Sequence, residues 1–243
     1  LVTKAQGITG AMTVEFEGKE RTFPEMKAFL ESNDREKREK AWKSMVNRWM
    51  EDSEELSEIF DELVKIRHQI ALNAGFSSYT DYMFKAMHRF DYSVEDCLIF
   101  HDSIEKVCMP IINDINEKRR IAFGLEKLSP WDVNEKSGSG PDINGESPLK
   151  PFDSVQEMVT KLSQLFHNMS KDLGNKFDKL VEMDTLDLET RKGKAPGGYQ
   201  YYLEKSRVPF IFMNAAGLQG DLETMIHESG HAFHSLYCGH LDL

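Results

Sequence analysis

Thr224-Met225-Ile226-His227-Glu228-Ser229-Gly230-His231-Ala232-Phe233-His234, near the end of the 243-residue sequence, decides how the rest of the chain is read. It contains His-Glu-x-x-His. On an α-helix, residues four apart lie about 40° apart around the axis, so the imidazoles of His227 and His231 can converge on one ion. Glu228, about 100° on from His227, flanks the pair. The surroundings favour a helix: Asp221 is expected as its N-cap and Glu223 suits the positive end of the dipole. Leu222, Met225, Ile226, Ala232, Phe233 and Leu236 would form its buried face.

Two neutral imidazoles and one further protein ligand hold Zn2+ with a position left for water, whose pKa then falls toward about 7. Glu228 is placed to take that proton, which implies hydrolysis of a polarised carbonyl, most often a peptide bond. His234 lies one turn further on nearly the same face and is read as packing behind the ligands rather than binding. A third ligand is missing from the pattern. The metzincin arrangement would need Gly at 234 and His at 237, where His234 and Tyr237 stand. The other common arrangement takes a Glu from a following helix, yet beyond His231 only His240 and Asp242 could serve.

Upstream of this helix the period shortens to that of strands. Leu186-Asp187-Leu188, residues 198–203 and residues 208–213 read as three short strands of a small antiparallel sheet. Phe210 to Asn214 is the expected edge strand, able to align an extended substrate by backbone hydrogen bonds. The rest of the chain is mainly helical. Residues 13–23 alternate around Gly18 as a β-hairpin, Pro24 opens a helix, and residues 34–73 carry one long helical signal. Its stripes, Trp42, Met45, Val46 and Trp49, then Leu56, Ile59, Phe60 and Leu63, are expected in the core, and the charges from Arg35 to Lys43 on solvated faces. Ser93 and Asp96 form a capping box, and Pro110 should divide the next helix near Cys108. Residues 131–152 read as a loop, and residues 155–169 and 171–181 as two amphipathic helices. The organisation expected is an N-terminal hairpin and helical region over 1–130, a connector over 131–152, and the start of a catalytic region over 153–243.

Composition excludes several classes. A net charge of −11 disfavours nucleic acid, which is bound by clustered Lys and Arg. No run approaches the ~18 apolar residues of a membrane span. Three widely spaced cysteines, Cys97, Cys108 and Cys238, form neither a disulfide framework nor a thiolate knuckle, and a reducing cytoplasm is the expected location.

Arg191-Lys192-Gly193-Lys194-Ala195-Pro196-Gly197-Gly198-Tyr199, an apolar strand ending at Asn214, and then His-Glu-Ser-Gly-His-Ala-Phe-His together resemble oligoendopeptidase F and its relatives of the thimet oligopeptidase family. Trp131-Asp132 after a long helix fits the same pattern. The resemblance implies a mainly helical metallopeptidase with a deep channel for short unstructured peptides. It matches His227 and His231 to the zinc ligands, Glu228 to the general base, and Gly197, Gly198 and Tyr199 to a loop beside the substrate cleft. It also implies a ligating Glu beyond Leu243, so the sequence is expected to be a fragment whose C-terminal remainder completes the site. Two other readings stay open: a non-peptidase zinc hydrolase using the same helix, and an inactive helical module that binds peptides.

Overall fold

The computed structural model describes residues 1–133, 141–239 and 241. The expectations placed on His240, Asp242 and part of the 131–152 loop lie outside these residues. Helix α1 (Val2–Ala11) leads into the hairpin of β1 (Thr13–Phe16) and β2 (Lys19–Thr22). The hairpin closes through Glu17 and Gly18, both with positive φ (52° and 74°), the two-residue turn whose twist matches that of its strands. Thr22 caps α2 (Phe23–Leu30) in a reciprocal box with Glu25.

The long helical signal divides in two, α3 (Arg35–Glu51) and α4 (Ser53–Asn73). At Asp52 the backbone leaves the helical region (φ −104°, ψ 6°), and its carboxylate is drawn onto Arg48 at 2.5 Å. The core expectation over these helices holds in part. Ile59 is 4% exposed, whereas Trp49 and Phe60 are open to solvent. Next come α5 (Tyr79–Ala86) and α6 (Val94–Ser103), the latter starting at the Ser93–Asp96 box. Because Pro110 carries no N–H, the ladder ahead of it widens into a π turn (Ile104–Cys108) before α7 (Met109–Ala122).

The charged run on α3 is not wholly solvated. Arg38 is 3% exposed and joins Arg35 on the fully buried carboxylate of Asp132, in the short 3₁₀ turn Pro130–Asp132. Arg35 binds it through Nε and Nη2, both at 2.9 Å, and Arg38 through Nη2 at 3.2 Å. Arg38 Nε also donates to the carbonyl of Trp131, whose ring packs against Trp42 at 5.5 Å. Burial pushes the Asp132 carboxyl upward, but Arg35, the Ser129 N–H and Arg38 together hold it below its ordinary value.

The larger core forms where α8 (Val155–Met169) and α9 (Lys171–Glu182) pack on a sheet of β3 (Leu186–Glu189), β4 (Tyr199–Leu203) and β5 (Val208–Ala215), with α10 (Gln219–Cys238) after it. Phe177, Leu180, Ile211, Met213 and Met225 are nearly or fully inaccessible there. The sheet corrects the antiparallel expectation. Its order is β3-β5-β4, with β3 parallel to β5 and β4 antiparallel to it. Among the described residues no helix is long and apolar enough to cross a membrane.

Removing the Asp132 carboxylate leaves Arg38 buried without its charge partner, and Asp132→Ala is expected to cost about 3–5 kcal/mol in chemical denaturation. The wild type should also be acid-sensitive. Carboxyls held below their unfolded values, Asp132 and Asp187 (the latter at about 2), contribute stability that is complete above the unfolded pKa of about 3.9 and lost as pH falls through the folded value. The unfolding free energy is therefore expected to be flat near neutrality and to fall below about pH 4.

Candidate metal and substrate site

Helix α10 is positioned from both ends of its sequence pattern. Leu218, extended at φ −95°, is the N-cap, and Asp221 sits in the first turn instead of capping it. Its Oδ2 reaches back to accept the backbone N–H groups of Ala216 (2.7 Å), Gly217 and Leu218 (2.9 Å each), fixing the entry of the chain. Along the helix, Met225, Ala232 and Phe233 are buried, with Leu222 and Leu236 packed at their margin. Ile226, expected on this face, is 36% exposed because it falls at the edge of the apolar stripe. Phe233 meets Phe166 of α8 edge-on at 4.9 Å. Ser229 is fully buried and returns its hydroxyl to the Met225 carbonyl at 2.6 Å.

Opposite that apolar stripe, His227 and His231 are exposed and their Nε2 atoms stand 3.1 Å apart, with the rings nearly perpendicular at 83°. Two nitrogens sharing one tetrahedral zinc at 2.0–2.1 Å would stand about 3.3 Å apart, so the pair has the separation that a common ion requires. Glu228 is 7% exposed and has no hydrogen bond or ion pair among the described residues. His234 and Cys238 continue the exposed side of the helix, with His234 Nε2 3.6 Å from Cys238 Sγ. No group of three or more His, Cys, Asp or Glu placed to hold a metal occurs among the described residues.

The sheet lies beside this helix. β5, expected at the edge, is the central strand, and both of its backbone edges are paired. Phe210 is paired with Tyr201 of β4, Asn214 lies past the last β4 pair (Tyr199–Phe212), and the free strand edge on this side belongs to β4. Its polarity is set by the register. The Ile211 N–H donates toward β3, to the Thr185 carbonyl at 2.9 Å, so its partner Gln200 occupies a non-hydrogen-bonded pair with β5. Tyr202, opposite Pro209, shares that parity. The N–H and C=O groups of Gln200 and Tyr202 accordingly point outward. Pro209 is the sequence signal that could have revealed this, since a residue without N–H must stand where the ladder needs no donor.

Between β3 and β4 the glycine-rich loop is tied down on several sides. Lys194, 7% exposed, donates to the carbonyls of Asp187 and Glu189 and to the Asp187 carboxylate. Burial draws its ammonium below the ordinary value, against the pull of Asp187. Arg191 grips the same carboxylate through two bonds of 2.7 and 2.9 Å, and chiefly for that reason the carboxyl falls to about 2. Gly198 packs on α10, where an added Cβ would stand 3.1 Å from Thr224 Cγ2. Tyr199 stacks on Phe212 at 4.9 Å.

With this geometry in place, comparison with known proteins is decisive for the family. The sequence model described as peptidase family M3 matches residues 28–240. The chain belongs to peptidase family M3. It superposes on a Bacillus anthracis structure described as an oligoendopeptidase F with a TM-score of 0.88 at 28% identity, and on PZ peptidase A, solved with an inhibitor, with 0.89 at 31%. A further oligoendopeptidase F structure gives 0.90 at 29%. Each match covers 99% of this chain, which spans 43%, 42% and 41% of those proteins respectively. No match to a curated protein is found. The M3 peptidases are zinc-dependent.

The Asp221 link sets where α10 begins, so Asp221→Ala is expected to lower stability by about 1–3 kcal/mol. Hydrogen exchange should accelerate at the Ala216, Gly217 and Leu218 amides, while the amides around Phe233 remain protected.

Proposed function

We propose that this chain carries the metal-binding helix of a zinc-dependent endopeptidase acting on short unstructured peptides. The observation that carries the reading is the 3.1 Å separation of the exposed His227 and His231 Nε2 atoms on one face of the helix, with the mostly covered Glu228 side chain next to them in sequence. In this reading the two histidines hold zinc as neutral imidazoles, and a Glu from a segment outside the described residues completes the set. Zinc supplies Lewis acidity, polarising the scissile carbonyl and making water acidic enough to be deprotonated near neutral pH.

The remaining work falls to the chain's own groups. The Glu228 carboxylate accepts a proton as the water oxygen bonds to the carbonyl carbon, then delivers it to the amide nitrogen as the C–N bond breaks. The free edge of β4 takes the aligning role first expected of residues 210–214. The outward N–H and C=O groups of Gln200 and Tyr202 pair with an extended peptide as an added strand, which favours unfolded segments over folded proteins. Gly197, Gly198 and Tyr199 shape the start of that edge, and His234, exposed on the same stripe, supports the ligand pair without binding the metal. Residues 1–130 and 131–152 serve as a helical region and a connector to the catalytic part that begins at 153. Action in the cytoplasm is consistent with Cys97, Cys108 and Cys238 all being free thiols.

In the full-length protein, Glu228→Gln is expected to retain zinc on metal analysis while peptide turnover falls by about 10²-fold or more. Unchanged turnover would remove Glu228 from the reaction. Chelation should abolish hydrolysis reversibly, and a panel of peptide and simple ester substrates separates an endopeptidase from another zinc hydrolase.

A further inference from the structure

Asn214 is the penultimate residue of β5 and, by sequence position, stands among the substrate-contact candidates, but its side chain is committed elsewhere. Its Nδ2 donates to the carbonyl oxygens of Ala195 and Gly197, each at 2.9 Å. An amide nitrogen carries two hydrogens, so both are used within the protein. The bonds fall where the loop is weakest. Its first half is anchored on β3 by Lys194, whereas Gly197 turns the chain at φ +104°, a conformation glycine adopts without strain and also leaves readily.

The turn stands directly ahead of two features of the site. Gly198 lies against Thr224, which precedes His227 and Glu228 by three and four residues, one turn earlier on the same side of α10. Two residues further along the chain comes Gln200, the first outward-facing pair of backbone groups on β4. The carbonyls gripped by Asn214 therefore set where the free edge starts relative to the two histidines.

We propose that Asn214 is a positioning residue for peptide binding. It clamps the Ala195–Gly198 turn so that the edge groups of β4 stand in register with the metal helix, and it does not itself touch the substrate. The proposal rests on the peptidase reading above. Asn214→Ala removes both donors; Asn214→Asp keeps the side-chain shape, also loses them, and substitutes for the smaller variant should that fail to fold.

The test compares the zinc-loaded full-length protein with these variants by hydrogen exchange, metal content and kinetics on a short unstructured fluorogenic peptide. Exchange over residues 195–200 is expected to accelerate about tenfold or more, with α10 and the zinc content unchanged. KM should rise on the order of tenfold while kcat changes less than about threefold, the signature of lost ground-state alignment. An ester placed for one substrate amide should cost affinity in the wild type and little in the variants. Unchanged exchange over 195–200 would overturn the clamp, and faster exchange with unchanged KM would overturn its role in substrate alignment. A wild type that hydrolyses no peptide removes the peptidase reading and the alignment role with it, while the exchange comparison still decides the clamp.

Discussion

Everything about the candidate site depends on how α10 is seated. Met225, Ser229, Ala232 and Phe233 are buried against Phe166, Phe177 and the inner face of β5, which fixes the rotation of the helix about its axis. Given that rotation, a 3.6-residue period turns His227, His231, His234 and Cys238 outward along one stripe and leaves Glu228 at the boundary between core and solvent. The same packing that stabilises the helix therefore sorts two imidazoles from a carboxylate without any contact among them being required. A shift of one residue in the apolar pattern would swing the stripe by about 100° and bury the imidazoles.

The sheet adds a second constraint. Placing β5 between a parallel and an antiparallel neighbour uses both of its edges and leaves β4 as the free strand on the side of the glycine loop. The parity of the ladder then decides which backbone groups face outward, and Pro209 is tolerated in a central strand because its position lies beyond the pairing of β3. The loop leading into β4 is fastened to β3 through Lys194 and to β5 through Asn214, so the start of the edge is built into the sheet rather than left to a loose connection.

Local patterns are legible in the sequence because local physics sets them. The hairpin turn at Gly18, the Ser93–Asp96 box, the disruption ahead of Pro110, the amphipathic α8 and α9, and the helix bearing the two histidines all depend on neighbours within a few residues. The features that escape such a reading depend on distant partners. Arg38 looks like any surface arginine until Asp132, 94 residues away, arrives beside it. Strand order cannot be read from alternation, which is the same for a central strand and an edge, so alternation alone neither centres β5 nor reveals the parallel pairing of β3. The break at Asp52 lacks a Gly or Pro signal, and Asp221 offers the right capping residue three positions away from the actual cap. A third metal ligand cannot be identified from the His-Glu-x-x-His pattern, and none stands beside it among the described residues.

The central claim is that His227 and His231 share one zinc ion, and X-ray absorption at the zinc edge of the full-length, zinc-loaded protein tests it most directly. The outward stripe offers a competing pair, His234 with Cys238, whose thiol would bring sulfur to the metal. The account predicts a shell of nitrogen and oxygen at about 2.0–2.2 Å with imidazole scattering, unchanged by Cys238→Ala and lost with His227→Ala. A sulfur contribution near 2.3 Å, or a shell indifferent to His227 and His231, would contradict it.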